Sequence, residues 1–256
     1  MEIITSLDNR DLINASVLTI GSYDGLHKGH QKILKSVVEF SRLHKIPSVL
    51  VTFHPHPSQI IKTENSTKKR LIMNFESKMS LVEKLGLDYA CIITFNQKFS
   101  KVSAESFLDD YIIPFFNPQK IFIGFDHHFG NKRKGNPEFL EKYCMNNNIE
   151  LTIKKPVLND NVKISSTIIR SFIKNGDINK ANNFLGSTFS FNSKVVRGSG
   201  RGSELGFPTA NILLRRKVLP IRVVFVVTAS NGQNHWQGVA NVGNRPTVNG
   251  QRNQLE

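Results

Sequence analysis

The chain has 256 residues, of which 39% are hydrophobic and 21% charged, a globular balance that excludes a disordered protein. No stretch offers the ~18 uncharged apolar residues of a membrane span, and residues 1–5 lack the basic-then-apolar pattern of a secretory signal. The net charge is +14, and +7 of it falls in the last 69 residues, so nucleic acid and polyphosphate ligands are the first partners to weigh. That basic tail has few interleaved aromatics and no nucleic-acid-binding motif, which favours small phosphate ligands, with no nucleic acid and no membrane as partners. Cys91 and Cys144 are far apart in sequence, in strand-like and helix-like contexts, and read as two buried thiols of a cytoplasmic protein.

In chain order, residues 15–20 (ASVLTI) form an apolar run ending in Gly21, as a buried strand does. Ile33, Leu34, Val37, Val38 and Ser41 then recur at helical spacing until Pro47, and residues 48–53 (SVLVTF) give a second strand. Such a β-α-β unit in one sheet implies parallel strands and a right-handed crossover. Asn74 can cap a helix carrying Phe75, Met79, Val82 and Leu85, closed by Gly86. Strands are predicted at 89–95, 120–125 and 149–155, and helices at 103–113 (before Pro114) and 138–146 (after Asn136-Pro137). Five strands alternating with helices predict a doubly wound α/β domain, with ligands beyond the carboxyl ends of its strands.

Two short helices follow at 167–174 and 178–185, separated by Asn175-Gly176. Beyond Gly186 the texture changes to short β-branched runs (193–196, 223–228, 236–241) between Gly/Pro/Asn turns. A small antiparallel β domain is expected there, which divides the chain into residues 1–187 and 188–256.

The segment Gly21-Ser22-Tyr23-Asp24-Gly25-Leu26-His27-Lys28-Gly29-His30 joins the first strand to the first helix. A helix start offers unpaired N–H groups and a positive dipole end, both suited to phosphate oxygens. Two imidazoles three residues apart project from one side of the first turn, where they can donate to a triphosphate and offset charge on departing pyrophosphate. A plain strand-to-helix turn with surface histidines is the bland alternative. No Gly-x-Gly-x-x-Gly is present and no Gly-Lys-Ser/Thr follows, so neither the dinucleotide fingerprint nor the P-loop fits. Zinc would need a third ligand that the sequence does not offer.

These ten residues resemble the His-x-Gly-His motif of the nucleotidylyltransferase superfamily, in its bacterial bifunctional riboflavin kinase/FAD synthetase branch. The resemblance implies a Rossmann-like α/β domain in which His27, His30 and Arg170 are catalytic. It implies that Gly21, Ser22, Tyr23, Asp24 and Gly29 bind ATP together with Ser165, Ser166 and Thr167. Those hydroxyls open Ser165-Ser166-Thr167-Ile168-Ile169-Arg170, which is similar to the family's Ser-Ser-Thr-x-Ile-Arg motif. Without the family, Ser166 reads as an N-cap.

Two further segments carry the flavin site that the resemblance implies. Phe53-His54-Pro55-His56-Pro57 resembles the Phe-x-Pro-His-Pro loop, so Phe53, Pro55, His56 and Pro57 are expected at the flavin. Gly124-Phe125-Asp126-His127-His128-Phe129-Gly130 resembles Gly-x-Asp-Phe-x-Phe-Gly, which adds Asp126 and Phe129; His127 stands where that pattern has Phe. The basic turn Lys132-Arg133-Lys134 reads equally as solvated or as facing phosphate.

In the tail, residues 198–211 end in Pro208-Thr209-Ala210-Asn211 and look like the riboflavin kinase signature. The resemblance implies Mg²⁺ on ATP phosphates held by Thr209 and Asn211, whose hard oxygens suit that ion. Residues 238–247 match the next family block, and Glu256 falls about where the catalytic base of the kinase belongs. The expectation is a partial small β-barrel of the riboflavin kinase kind, with impaired kinase activity.

The activities implied are transfer of AMP from ATP to FMN, giving FAD and pyrophosphate, and phosphorylation of riboflavin to FMN. The small-molecule partners are then ATP, FMN, FAD and riboflavin. A related transferase with another phosphate acceptor, or a basic RNA- or nucleotide-binding protein, remain the alternatives.

Overall fold

In the computed structural model, residues 1–7, 13–61, 70–197, 206, 209–212, 223–247 and 250–255 are described. They fall into two compact units, one of residues 1–69 and 75–165, the other of residues 70–74 and 166–256.

The first unit opens with β1 (Glu2–Ile4), β2 (Ser16–Ile20), α1 (Lys28–His44) and β3 (Ser48–His54). It continues through α2 (Pro57–Ile60), α3 (Phe75–Lys84), β4 (Tyr89–Thr94), α4 (Ala104–Tyr111), α5 (Ile113–Phe116) and β5 (Pro118–Gly124). It closes with α6 (Pro137–Asn146), β6 (Glu150–Lys154) and a small hairpin of β7 (Leu158–Asn159) and β8 (Val162–Lys163). Strands β1 to β6 form one parallel sheet in the order β1-β4-β3-β2-β5-β6. All five residues of β2 are buried, as expected of a central strand covered by helices on both faces. Helix α1 turns Ile33, Leu34, Val37 and Ser41 inward and ends at Lys45, whose left-handed backbone donates its N–H to the Ser41 carbonyl.

The sheet has six strands where the pattern predicts five. β1 is three residues long with only Ile4 buried, too short to register as an apolar run. Pro114 does not end the helical region either. It occupies the first turn of α5, where its missing N–H costs nothing.

The chain runs from β2 outward through β3 and β4, then crosses to the other side of β2 to place β5. That reversal falls between β2 and β5, and open α/β sheets take ligands beyond the carboxyl ends of the strands at such a point. Below it the core packs Leu18, Ile20, Val49, Val51, Ile121 and Ile123 from the strands against Phe107, Leu108, Phe116 and Leu140 from the helices. Cys91 and Cys144 are buried, unpaired thiols in that core.

The second unit contains α7 (Ser166–Asn175), α8 (Ile178–Leu185), β9 (Val195–Val196) and β10 (Asn211–Ile212). It also holds β11 (Val223–Ser230), β12 (His235–Thr247) and β13 (Gly250–Leu255). Its strands pair antiparallel in the order β11-β12-β13-β10-β9; among the described residues this sheet is open rather than a closed barrel. Helices α7 and α8, predicted from spacing as the end of the first domain, cluster with this second unit. Glu256, Gly198 to Leu205 and Phe207-Pro208 lie outside the described residues. No helix among the described residues is long and apolar enough to cross a membrane.

Candidate active site

Three loops gather at the carboxyl edge of the first unit's sheet, after β2, β3 and β5. The turn after β2 is compact and tied at several points. Tyr23, Gly25 and Leu26 have positive φ (50°, 78° and 40°), which reverses the chain within a few residues. The Gly21 N–H donates to the Val51 carbonyl (3.0 Å), and the Gln31 side chain donates to the Leu26 carbonyl (2.8 Å). The Tyr23 side chain is buried, and its hydroxyl pairs closely with the Thr19 hydroxyl inside β2; burial raises that phenol well above its usual range.

His27 is the N-cap of α1, and its Nδ1 accepts the His30 backbone N–H at 3.3 Å. A nitrogen that accepts carries no proton, so the His27 proton belongs on Nε2. Gly29 permits this fold-back, since a Cβ there would meet His27 Nδ1 at 3.2 Å. The two imidazoles stack with centroids 3.6 Å apart and planes 18° from parallel, and the Tyr23 ring meets His30 edge-on at 4.9 Å. His30 Nδ1 is buried without a hydrogen-bond partner. Burial first, then the neighbouring His27 and Lys78, hold the His30 pKa well below the usual imidazole value. The result is a neutral His30 stacked on His27 at a helix start.

Lys78 of α3 is the residue that sequence reasoning missed. It is buried, and its Nζ donates to the Ser22 carbonyl (3.1 Å) and to Thr52 Oγ1 (3.0 Å). Burial lowers its pKa to about 8, against the pull of Asp24, which is also buried. A signal was available: Lys78 lies on the helical stripe of Phe75, Met79 and Val82, where a lysine is out of place unless it has work inside.

After β3, the His54–Pro55 peptide is cis, and His56 caps α2 by accepting the Ser58 N–H at Nδ1 (3.1 Å). The Phe53 ring sits among Phe95, Phe99 and Phe107, partly in the core. Pro55 and Pro57 flank His56 at this edge, both half-buried.

After β5, Asp126 is exposed and pairs with Lys163 (3.4 Å). Phe129 is buried among Phe107 and Phe139, and the half-buried His127 stacks on it at 5.4 Å. Burial, with His128 and Arg133 close by, lowers the His127 pKa to about 4. Gly130 has φ 69°, and a Cβ there would fall 2.6 Å from the Ala104 backbone nitrogen, so only glycine closes this loop. Lys132, Arg133 and Lys134 form an exposed basic turn.

The structure thus brings Gly21 to Gly29, His27, His30, the 53–57 loop and Asp126 to one edge of one unit. Ser165 ends that unit, half-buried, and Ser166, half-buried in the first turn of α7, begins the other. Ser166 opens the first turn of α7. Thr167 is exposed on α7, and Arg170 is buried, its Nε donating to the Arg70 carbonyl (2.9 Å). Thr209 is exposed and Asn211 buried in β10. Among the described residues no group of three or more His, Cys, Asp or Glu could hold a metal ion.

Paired imidazoles at a helix start, at the switch point of a parallel sheet, are the arrangement of an α/β nucleotidylyltransferase domain. A family model described as FAD synthetase matches residues 10–168, and one described as Riboflavin kinase matches residues 185–256. The chain belongs to the bifunctional riboflavin kinase/FMN adenylyltransferase family. The protein of that name from Escherichia coli (strain K12) is 33% identical over 241 residues, covering 94% of this chain and 76% of that protein. The one from Bacillus subtilis (strain 168) is 33% identical over 233 residues, 91% of this chain and 73% of that protein. A crystal structure of a Macrolide-efflux Protein from Streptococcus pneumoniae superposes with a TM-score of 0.85 at 29% identity, covering 100% of this chain and 83% of that one.

Proposed function

We propose that this chain transfers AMP from ATP to FMN, giving FAD and pyrophosphate, and phosphorylates riboflavin to FMN with a second ATP. The observation that carries the first activity is the stacked His27–His30 pair at the start of α1. In the adenylyl transfer an FMN phosphate oxygen attacks the α-phosphorus of ATP. A P–O bond to FMN forms as the bond from the α-phosphorus to the β-phosphate oxygen breaks. A phosphate monoester is already a competent nucleophile at neutral pH, so no general base is required. Catalysis is then alignment and charge stabilisation. His27 and His30 each donate through Nε2, and the start of α1 adds the positive end of the helix dipole.

In this reading Arg170, Ser165, Ser166 and Thr167 hold ATP phosphates, and Phe53, Pro55, His56, Pro57, Asp126 and Phe129 shape the flavin site. The adenylyltransferase domain is residues 1–187, and the riboflavin kinase domain is residues 188–256. Thr209 and Asn211 supply uncharged oxygen donors, the chemistry Mg²⁺ takes alongside ATP phosphates, where it would neutralise phosphate charge. Glu256 is assigned as base toward riboflavin. We place the protein in the cytoplasm, in line with its two buried free thiols.

Purified protein incubated with MgATP and either FMN or riboflavin, with flavins separated by chromatography, tests both activities. FAD is expected from the first mixture, and FMN carried on to FAD from the second. Absence of FAD from the first would overturn the adenylyltransferase assignment.

A further inference from the structure

We infer that Lys78 is a positioning residue of the adenylyl transfer: its buried ammonium locks the turn bearing His27 and His30 to β3. The inference rests on the adenylyltransferase reading above.

One ammonium joins two neighbouring strand ends. Ser22 belongs to the turn after β2, Thr52 to the last part of β3, and Lys78 reaches both from α3. A buried ammonium is expensive to desolvate, whereas a neutral donor could tie the same two oxygens at lower cost. That charge is anchored on the Ser22 carbonyl, next to Tyr23 whose ring meets His30 edge-on, and so it stands on the same turn as His30, whose pKa it helps to lower. The groups facing His30 are His27 on its own helix start, the Tyr23 phenol from the turn, and Lys78 from α3, with Asp24 as counter-charge to Lys78. A proton on His30 Nδ1 would be a buried donor with no acceptor, so the ring keeps its one proton on Nε2. Lys78 reinforces that state by repelling a second proton. Its effect is to keep His30 a neutral, directed donor while the turn stays fixed.

The experiment measures kcat, the KM values for FMN and ATP, and the pH profile of kcat for wild-type chain, Lys78→Met and Lys78→Arg. Methionine keeps an apolar stem and removes the charge. Its kcat is expected to fall by about tenfold or more with the KM for FMN nearly unchanged, as befits lost alignment rather than lost binding. The acid limb of its profile is expected to move to higher pH, because His30 then protonates more readily. Lys78→Arg keeps the charge and should keep the limb where wild type has it. A limb that does not move in Lys78→Met, or that moves equally in both variants, overturns the inference, as does a kcat that falls only with the folded fraction. Should Lys78→Met fail to fold, an NMR titration of His30 in the wild-type chain decides: a midpoint near the ordinary imidazole value overturns it. Wild-type FAD synthesis separates this outcome from failure of the adenylyltransferase reading itself.

Discussion

His27 and His30 lie ring on ring, 3.6 Å between centroids, and the His30 backbone N–H donates to His27 Nδ1. One residue thus caps the helix and stacks on its partner, and the cap contact sets the His27 proton on Nε2. Replacing His30 with alanine removes a donor but leaves the cap atom of His27 intact. FAD formation by His30→Ala is expected to drop on the order of 10²–10³-fold. FMN binding, followed by flavin fluorescence, should persist, and near-normal turnover would defeat the assignment.

Gly21 is required by its neighbour Tyr23. A Cβ at position 21 would lie 2.8 Å from Tyr23 Cε2, and that ring is held by Thr19 on one side and meets His30 on the other. Gly21→Ala should therefore displace Tyr23, costing about 1–3 kcal/mol of stability and lowering kcat with it. Thermal unfolding and turnover measured on one sample check this; an unchanged pair of values would mean the ring moves freely.

Arg170 offers a test of two roles. Its Nε donates to the Arg70 carbonyl, and the proposed function sets its guanidinium against ATP phosphates. Lysine keeps the charge but loses the planar fork, so Arg170→Lys should raise the KM for ATP or lower kcat by about tenfold. If neither constant changes, Arg170 serves only to hold the 70–74 segment.

Much of the first unit was legible because buried parallel strands read as unbroken apolar runs, as in Ser16–Ile20 and Ser48–His54. The histidine turn was legible for a similar reason, since glycines between an apolar run and a helical period mark a βα crossing. β1 and the β7–β8 hairpin were not, because two or three residues with mostly exposed side chains leave no periodic trace. Lys78 escaped because a lysine in an amphipathic helix ordinarily points to water; only its place on the inward stripe betrays it. The side-chain roles of Tyr23 and Phe129 were hidden as well. Both sit in motifs expected to touch ligands, yet their rings are buried against Thr19 and His30, and against Phe107 and Phe139.

Stability should fall as the medium becomes mildly acidic. His30 and His127 are both held below the ordinary imidazole value, His127 at about 4, by burial above all. In the unfolded chain each takes a proton below about pH 6.5, while the folded chain resists until lower pH. Between those points the unfolded state binds more protons, so unfolding gains up to about 1.4 kcal/mol per pH unit from each histidine. Asp88 and Glu150, whose carboxyls are lowered by their hydrogen-bond partners, act below this window. Denaturant unfolding at about pH 7 and about pH 5 should show the loss, and His127→Phe should show less of it. Equal wild-type stability at both values would contradict the neutral state of these rings at about pH 5.

The central claim is that an FMN phosphate attacks the α-phosphorus of ATP in the first unit. Label transfer from ATP carrying radioactive phosphorus at either the α or the γ position, with FMN as acceptor, tests it most directly. The account predicts that α-label enters FAD in equal amount to the pyrophosphate released, while γ-label leaves entirely in pyrophosphate. FAD without α-label, or no labelled flavin from a preparation that binds FMN, would contradict it.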